Sequence, residues 1–68
     1  MKVWITNDHY VINLESVSHI EPYFYDKNGI RFYFNNNKAV VSKGYKTKQE
    51  VYDVIKAIYI KMNSTSSL

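Results

Sequence analysis

The sequence predicts an α+β domain: a small antiparallel sheet of about five strands in hairpins, followed by one C-terminal helix packed on one face. Three observations lead there. Short apolar segments alternate with period two as far as residue 43, clusters of Asn, Asp and Gly divide them into hairpins, and beyond Gly44 the apolar spacing changes to three-and-four. Residues 1–62 make one domain and 63–68, Asn-Ser-Thr-Ser-Ser-Leu, read as a disordered tail.

The first hairpin runs from Lys2 to Thr6, turns at Asn7-Asp8 and returns from His9 to Leu14. With Asn7 and Asp8 as a two-residue loop, Ile5 opposes Tyr10, Trp4 opposes Val11 and Val3 opposes Ile12. Val3, Ile5, Ile12 and Leu14 then share the inner face, Trp4 and Val11 the outer one. Glu15-Ser16 interrupts the chain before Val17.

The second hairpin turns at Asp26-Lys27-Asn28-Gly29. A three-residue loop, with Gly29 left-handed in a bulge, pairs Phe24 with Phe32, Tyr23 with Tyr33 and Tyr25 with Arg31. It sorts the side chains more cleanly than a two-residue loop. Ile20, Phe24, Phe32 and Phe34 fall on the core side, and the tyrosines and the arginine fall outside. Pro22 cannot donate to a ladder and suits an edge or a bulge.

In the third hairpin, Asn36-Asn37 as the loop sets Phe34 against Ala39, Tyr33 against Val40 and Phe32 against Val41, which adds Val40 to the outer face. Thr47-Lys48-Gln49-Glu50 is a capping box. The helix from about Lys48 to Met62 buries Val51, Val54, Ile55, Ile58 and Met62, leaving Tyr52, Lys56 and Tyr59 on a more exposed line.

Composition narrows the function. A chain of 68 residues without cysteine has neither disulfides nor thiolate zinc sites, so self-association is the expected source of extra stability. No apolar run spans a membrane, and Met1-Lys2-Val3 does not open a signal peptide; the expected location is the cytoplasm. The net charge of +3 comes almost wholly from lysine. The abundance of Lys, Asn, Ile and Tyr fits a low-GC bacterium or its phage.

The outer face is the candidate site. Trp4, Val11, Tyr23, Tyr25, Arg31, Tyr33 and Val40 would meet a protein partner or a second copy, because a solvated sheet face would alternate to small polar and charged residues instead. Stacked bases of a single-stranded nucleic acid are the alternative partner. Lys38, Lys43, Lys46 and Lys48, around Tyr45 and the helix start, are candidate anion contacts. His19 and Glu21 point the same way from one strand and read as a cross-strand polar contact. His9 lies in another hairpin, so neither a metal site nor a cofactor is expected. No nucleophile and base at a recognisable spacing and no phosphate loop occur, and the chain reads as non-catalytic.

The segments Tyr10-Val11-Ile12-Asn13-Leu14-Glu15, His19-Ile20-Glu21, Ile30-Arg31-Phe32-Tyr33-Phe34-Asn35, Val40-Val41 and Thr47-Lys48-Gln49-Glu50-Val51 resemble the small flagellar proteins called FlbD or SwrD. In place of that family's Thr-x-Ile-x-Leu stretch and Asn-Gly-Lys turn, this chain has Gly29-Ile30-Arg31-Phe32-Tyr33-Phe34 and Asn35-Asn36-Asn37-Lys38. The resemblance implies a non-catalytic role and supplies no catalytic residues.

Overall fold

A computed structural model of the chain describes residues 2–64. Strands β1 (Val3–Ile5) and β2 (Val11–Asn13), a 3-10 turn (Leu14–Ser16), strands β3 (Val17–Tyr23), β4 (Gly29–Phe34) and β5 (Ala39–Lys43), and helix α1 (Lys48–Met62) follow in that order. The protein is an α+β fold. Its strands are all antiparallel but form two sheets, β1-β2 and β3-β4-β5. The division has a local cause: the Asn13 side chain accepts from the Glu15 amide at 3.0 Å and caps the 3-10 turn, which ends β2 before β3 begins.

Two of the three predicted registers are corrected by one residue, for the same reason. In the first hairpin, Thr6 donates to the Tyr10 carbonyl at 2.9 Å, and the loop is Asn7-Asp8-His9 with His9 at φ 72. Trp4 therefore opposes Ile12 and packs against the core, while Ile5 opposes Val11 on the outer surface at 64% and 69% exposure. The third hairpin repeats this: Phe34 donates to the Lys38 carbonyl at 2.8 Å around Asn35-Asn36-Asn37, with Asn37 at φ 69. Val40 then opposes the fully buried Phe32 and turns to the core side, and Val41 takes its place opposite Arg31. A left-handed final loop residue adds one position to each turn, and a slip of one exchanges the faces.

The second hairpin is corrected differently. Ile20 opposes Phe32, Glu21 opposes Arg31 and Tyr23 opposes Gly29, so the loop is five residues, 24–28, and Gly29 is paired in the strand without a positive φ. The register differs from expectation by an even number, so the face assignments survive: Ile20, Ile30 and Phe32 face inward, Tyr23, Arg31 and Tyr33 outward. Gly29 is required for proximity, since a Cβ there would lie 2.6 Å from the Ser42 carbonyl oxygen.

One core joins both sheets and the helix: Ile12 and Leu14 from the hairpin, Val17, Ile30 and Phe32 from the larger sheet, Tyr45, and Val51 and Ile58 from α1. Val54, Ile55 and Met62 pack against it half-buried, as the helical spacing predicted. The hairpin is tied down at both ends. Asp8 accepts from the Ser42 hydroxyl and the Lys43 amide, each at 2.9 Å, and the Lys2 amine donates to the carbonyls of Met62 at 2.8 Å and Ser64 at 2.6 Å. Pro22 lies in the edge strand β3, as its chemistry requires.

Thr47 caps α1 by accepting from the Glu50 amide at 3.0 Å, and the Glu50 carboxylate accepts from the Lys46 amide at 2.7 Å. Asn63 donates to the Tyr59 carbonyl from both its backbone and side-chain amides, each at 3.0 Å. Of the tail expected at residues 63–68, residues 65–68 lie outside the described residues. Among the described residues no helix is long and apolar enough to cross a membrane.

Candidate functional site

Period-two alternation on β3 and β4 brings His19, Glu21, Tyr23, Arg31 and Tyr33 to the face of the three-stranded sheet opposite the core. Arg31 is their centre. Its guanidinium carbon lies 4.9 Å from the centroid of the Tyr23 ring and 5.8 Å from that of Tyr33, both within cation-π range. Its Nη1 donates to the Tyr33 hydroxyl at 3.0 Å and lies 3.7 Å from Glu21 Oε2. The Tyr33 hydroxyl donates to Glu21 Oε2 at 3.3 Å, and His19 Nε2 lies 3.0 Å from Glu21 Oε1. Tyr25, 83% exposed, meets the Tyr23 ring edge-on at 5.2 Å between centroids.

The charges in this array hold one another in place. The hydrogen bond from His19, then that from Tyr33 and the positive charges of His19 and Arg31, lowers the Glu21 carboxyl below its ordinary value against the opposing effect of desolvation. The Tyr33 hydroxyl raises the Arg31 guanidinium further still. Tyr and Arg are residue types that bury large areas while keeping directional polar contacts. A shallow depression of about 370 Å³ beside the array is lined by Ser18, His19, Glu21, Tyr33, Phe34 and Asn37.

Of the residues expected at this face, the structure brings Tyr23, Tyr25, Arg31 and Tyr33 together. Val11 is exposed but belongs to the two-stranded sheet, Trp4 packs inward, and Val40 is on the core side. Tyr23, Arg31 and Tyr33 are half-buried by one another, so the face is less bare than the sequence implied. His19 and Glu21 belong to the array. The signal was in the sequence, in their shared parity with Tyr23, and their polar contact extends across the strands as expected.

The structure sets Lys38 apart from Lys43. Lys38 precedes β5 and Lys43 ends it, which separates them by about 16 Å at the usual rise per residue. Lys43 pairs with Asp26 at 3.8 Å, and the Lys48 ammonium lies 5.2 Å from the centroid of the Phe24 ring. The Glu50 carboxylate occupies the amide of Lys46 at the helix start, where an anion would bind. Tyr45 is buried, its hydroxyl 2.9 Å from that of Ser42, and burial pushes its phenol up. No three His, Cys, Asp or Glu side chains converge among the described residues.

Compared with protein-family models, curated proteins and solved structures, the chain matches none.

Proposed function

We propose that this chain is a non-catalytic interaction module that self-associates, or docks on a partner protein, through Tyr23, Tyr25, Arg31 and Tyr33. The observation that carries the reading is the array centred on Arg31: two tyrosine rings and a carboxylate held around one guanidinium on the sheet face opposite the core. The face carries a cation, Arg31, and an anion, Glu21, opposite charges that two copies could exchange across a two-fold axis. Self-association also suits a domain too small to bury a large core. Single-stranded nucleic acid is the second reading, resting on the same rings, but the Glu21 carboxylate beside Arg31 opposes a phosphate.

The resemblance to the small flagellar FlbD or SwrD proteins offers one setting for such a module, a small regulator in a bacterial cytoplasm; a phage-encoded effector acting on a host protein is another. The test is sedimentation of the native chain across a concentration series beside Arg31→Ala and Tyr25→Ser. The expected result is a dimer that both substitutions weaken by about tenfold, the scale of an interface anchor. Native-like assembly by both variants would remove the face from the interface. A fluorescent oligonucleotide, titrated at two salt concentrations, scores the second reading.

A further inference from the structure

We infer that the free edge of β3 and the groove between it and α1 form a second binding site, for an extended acidic segment of a partner protein that adds to the sheet and inserts one leucine- or methionine-sized side chain. This rests on the reading of the chain as an interaction module but uses a different surface.

The backbone directions supply the first part of the argument. Asn35 donates toward β3, to Ser16 O at 2.9 Å, and Phe34 donates toward β5, to Lys38 O at 2.8 Å. Main-chain groups alternate along an antiparallel strand, so Arg31 and Tyr33 also bond toward β3, and their partners Glu21 and His19 bond back. Ile20 and Pro22 therefore turn their polar groups away from β4, to the edge where the sheet ends. Ile20 makes no backbone hydrogen bond outside its ladder among the described residues. It presents a donor and an acceptor; Pro22 presents an acceptor only and limits pairing to a short segment.

The second part is the groove. A cavity of about 230 Å³, lined by Ser18, His19, Ile20, Ile55, Tyr59 and Met62, lies between β3 and the C-terminal half of α1. A strand added beside Ile20 would direct alternate side chains into it. Its volume admits one such apolar side chain, and four of its six lining residues, Ile20, Ile55, Tyr59 and Met62, are apolar or aromatic. Among the described residues no carboxylate lines it.

Charge selects the occupant. The Lys2 amine sits on the Met62 carbonyl at 2.8 Å, at one end of the groove, and Lys56 is exposed three residues before Tyr59, its neighbour along the helix surface. Acidic residues two positions to either side of the inserted side chain would share its direction and meet these cations. A second copy does not fit, because Ile20, the apolar residue its own β3 would offer, already packs against its core.

The test uses NMR of the labelled full chain with three end-blocked pentapeptides: acetyl-Glu-Thr-Leu-Thr-Glu-amide, the same with Ser for Leu, and the same with Lys for both Glu. The first should shift the Ile20 amide and the Met62 methyl saturably, the other two binding about tenfold more weakly, as lost apolar burial or reversed surface charge would give. Lys56→Glu should reduce the preference for the acidic peptide. No saturable shift at Ile20, equal binding of all three peptides, or shifts confined to Tyr23, Tyr25 and Arg31 would overturn the inference. Neither Arg31 nor Tyr25 lines the groove, so retained peptide binding by Tyr25→Ser alongside a lost dimer separates this site from the tyrosine face.

Discussion

The Asp8 carboxylate accepts from the Thr6 hydroxyl at 2.7 Å, from the Ser42 hydroxyl and from the Lys43 amide, joining a turn of the small sheet to the end of the large one. Burial opposes its ionised form, but the hydrogen bonds from Lys43, Thr6 and Ser42 together outweigh it and lower its pKa. Glu21 is lowered too, chiefly by His19. For a carboxylate whose folded value is depressed, the stabilisation is fully present above the unfolded value, about 4, and is lost as pH falls through the folded one. Asp8→Ala should cost about 1–2 kcal/mol at neutral pH, the worth of charge-assisted hydrogen bonds near the surface. Urea unfolding at neutral and acidic pH checks it: the gap between native and variant should narrow as the solution is acidified below about pH 4.

At the scale of the element, turn length decides which side chains a hairpin shows. His9 and Asn37 both close three-residue loops from the left-handed region, which costs most side chains about 1 kcal/mol or more and asparagine less. His9→Gly should therefore raise stability by about 0.5–1 kcal/mol in thermal or urea unfolding, and Asn37→Gly should change it little. Equal gains from the two would contradict the account. Asparagine at the end of Asn35-Asn36-Asn37 was a legible signal, since it tolerates positive φ. At the first turn Asn7-Asp8 offered a shorter loop, and the register of β1 and β2 rests on the Thr6 and Asp8 contacts with the folded chain.

Across the whole molecule, one hydrophobic core carries the sheet, the hairpin and the helix, and Phe32 is fully buried in it while its neighbour Tyr33 faces outward. Phe32→Ala should cost about 3–5 kcal/mol and unfold much of so small a protein. Tyr33→Ala loses the contacts to Arg31 and Glu21 instead, and should cost about 1 kcal/mol while weakening assembly. Circular dichroism melts beside sedimentation separate the two effects, and equal destabilisation would mean that the face assignment of β4 is wrong.

The sequence by itself determined the class of fold, the helix with its buried stripe from Val51 to Met62, the restriction of Pro22 to an edge or a bulge and the outward set Tyr23, Arg31 and Tyr33. These follow from periodicity and from proline's missing donor, local properties that survive any even error of register. Only the tertiary structure decided that Trp4 and Val40 turn inward, that Ile5 and Val41 replace them outside, and that the strands divide into two sheets. Each depends on an added loop residue or a capped turn, whose small local energies are settled by the contacts the whole chain makes when it closes.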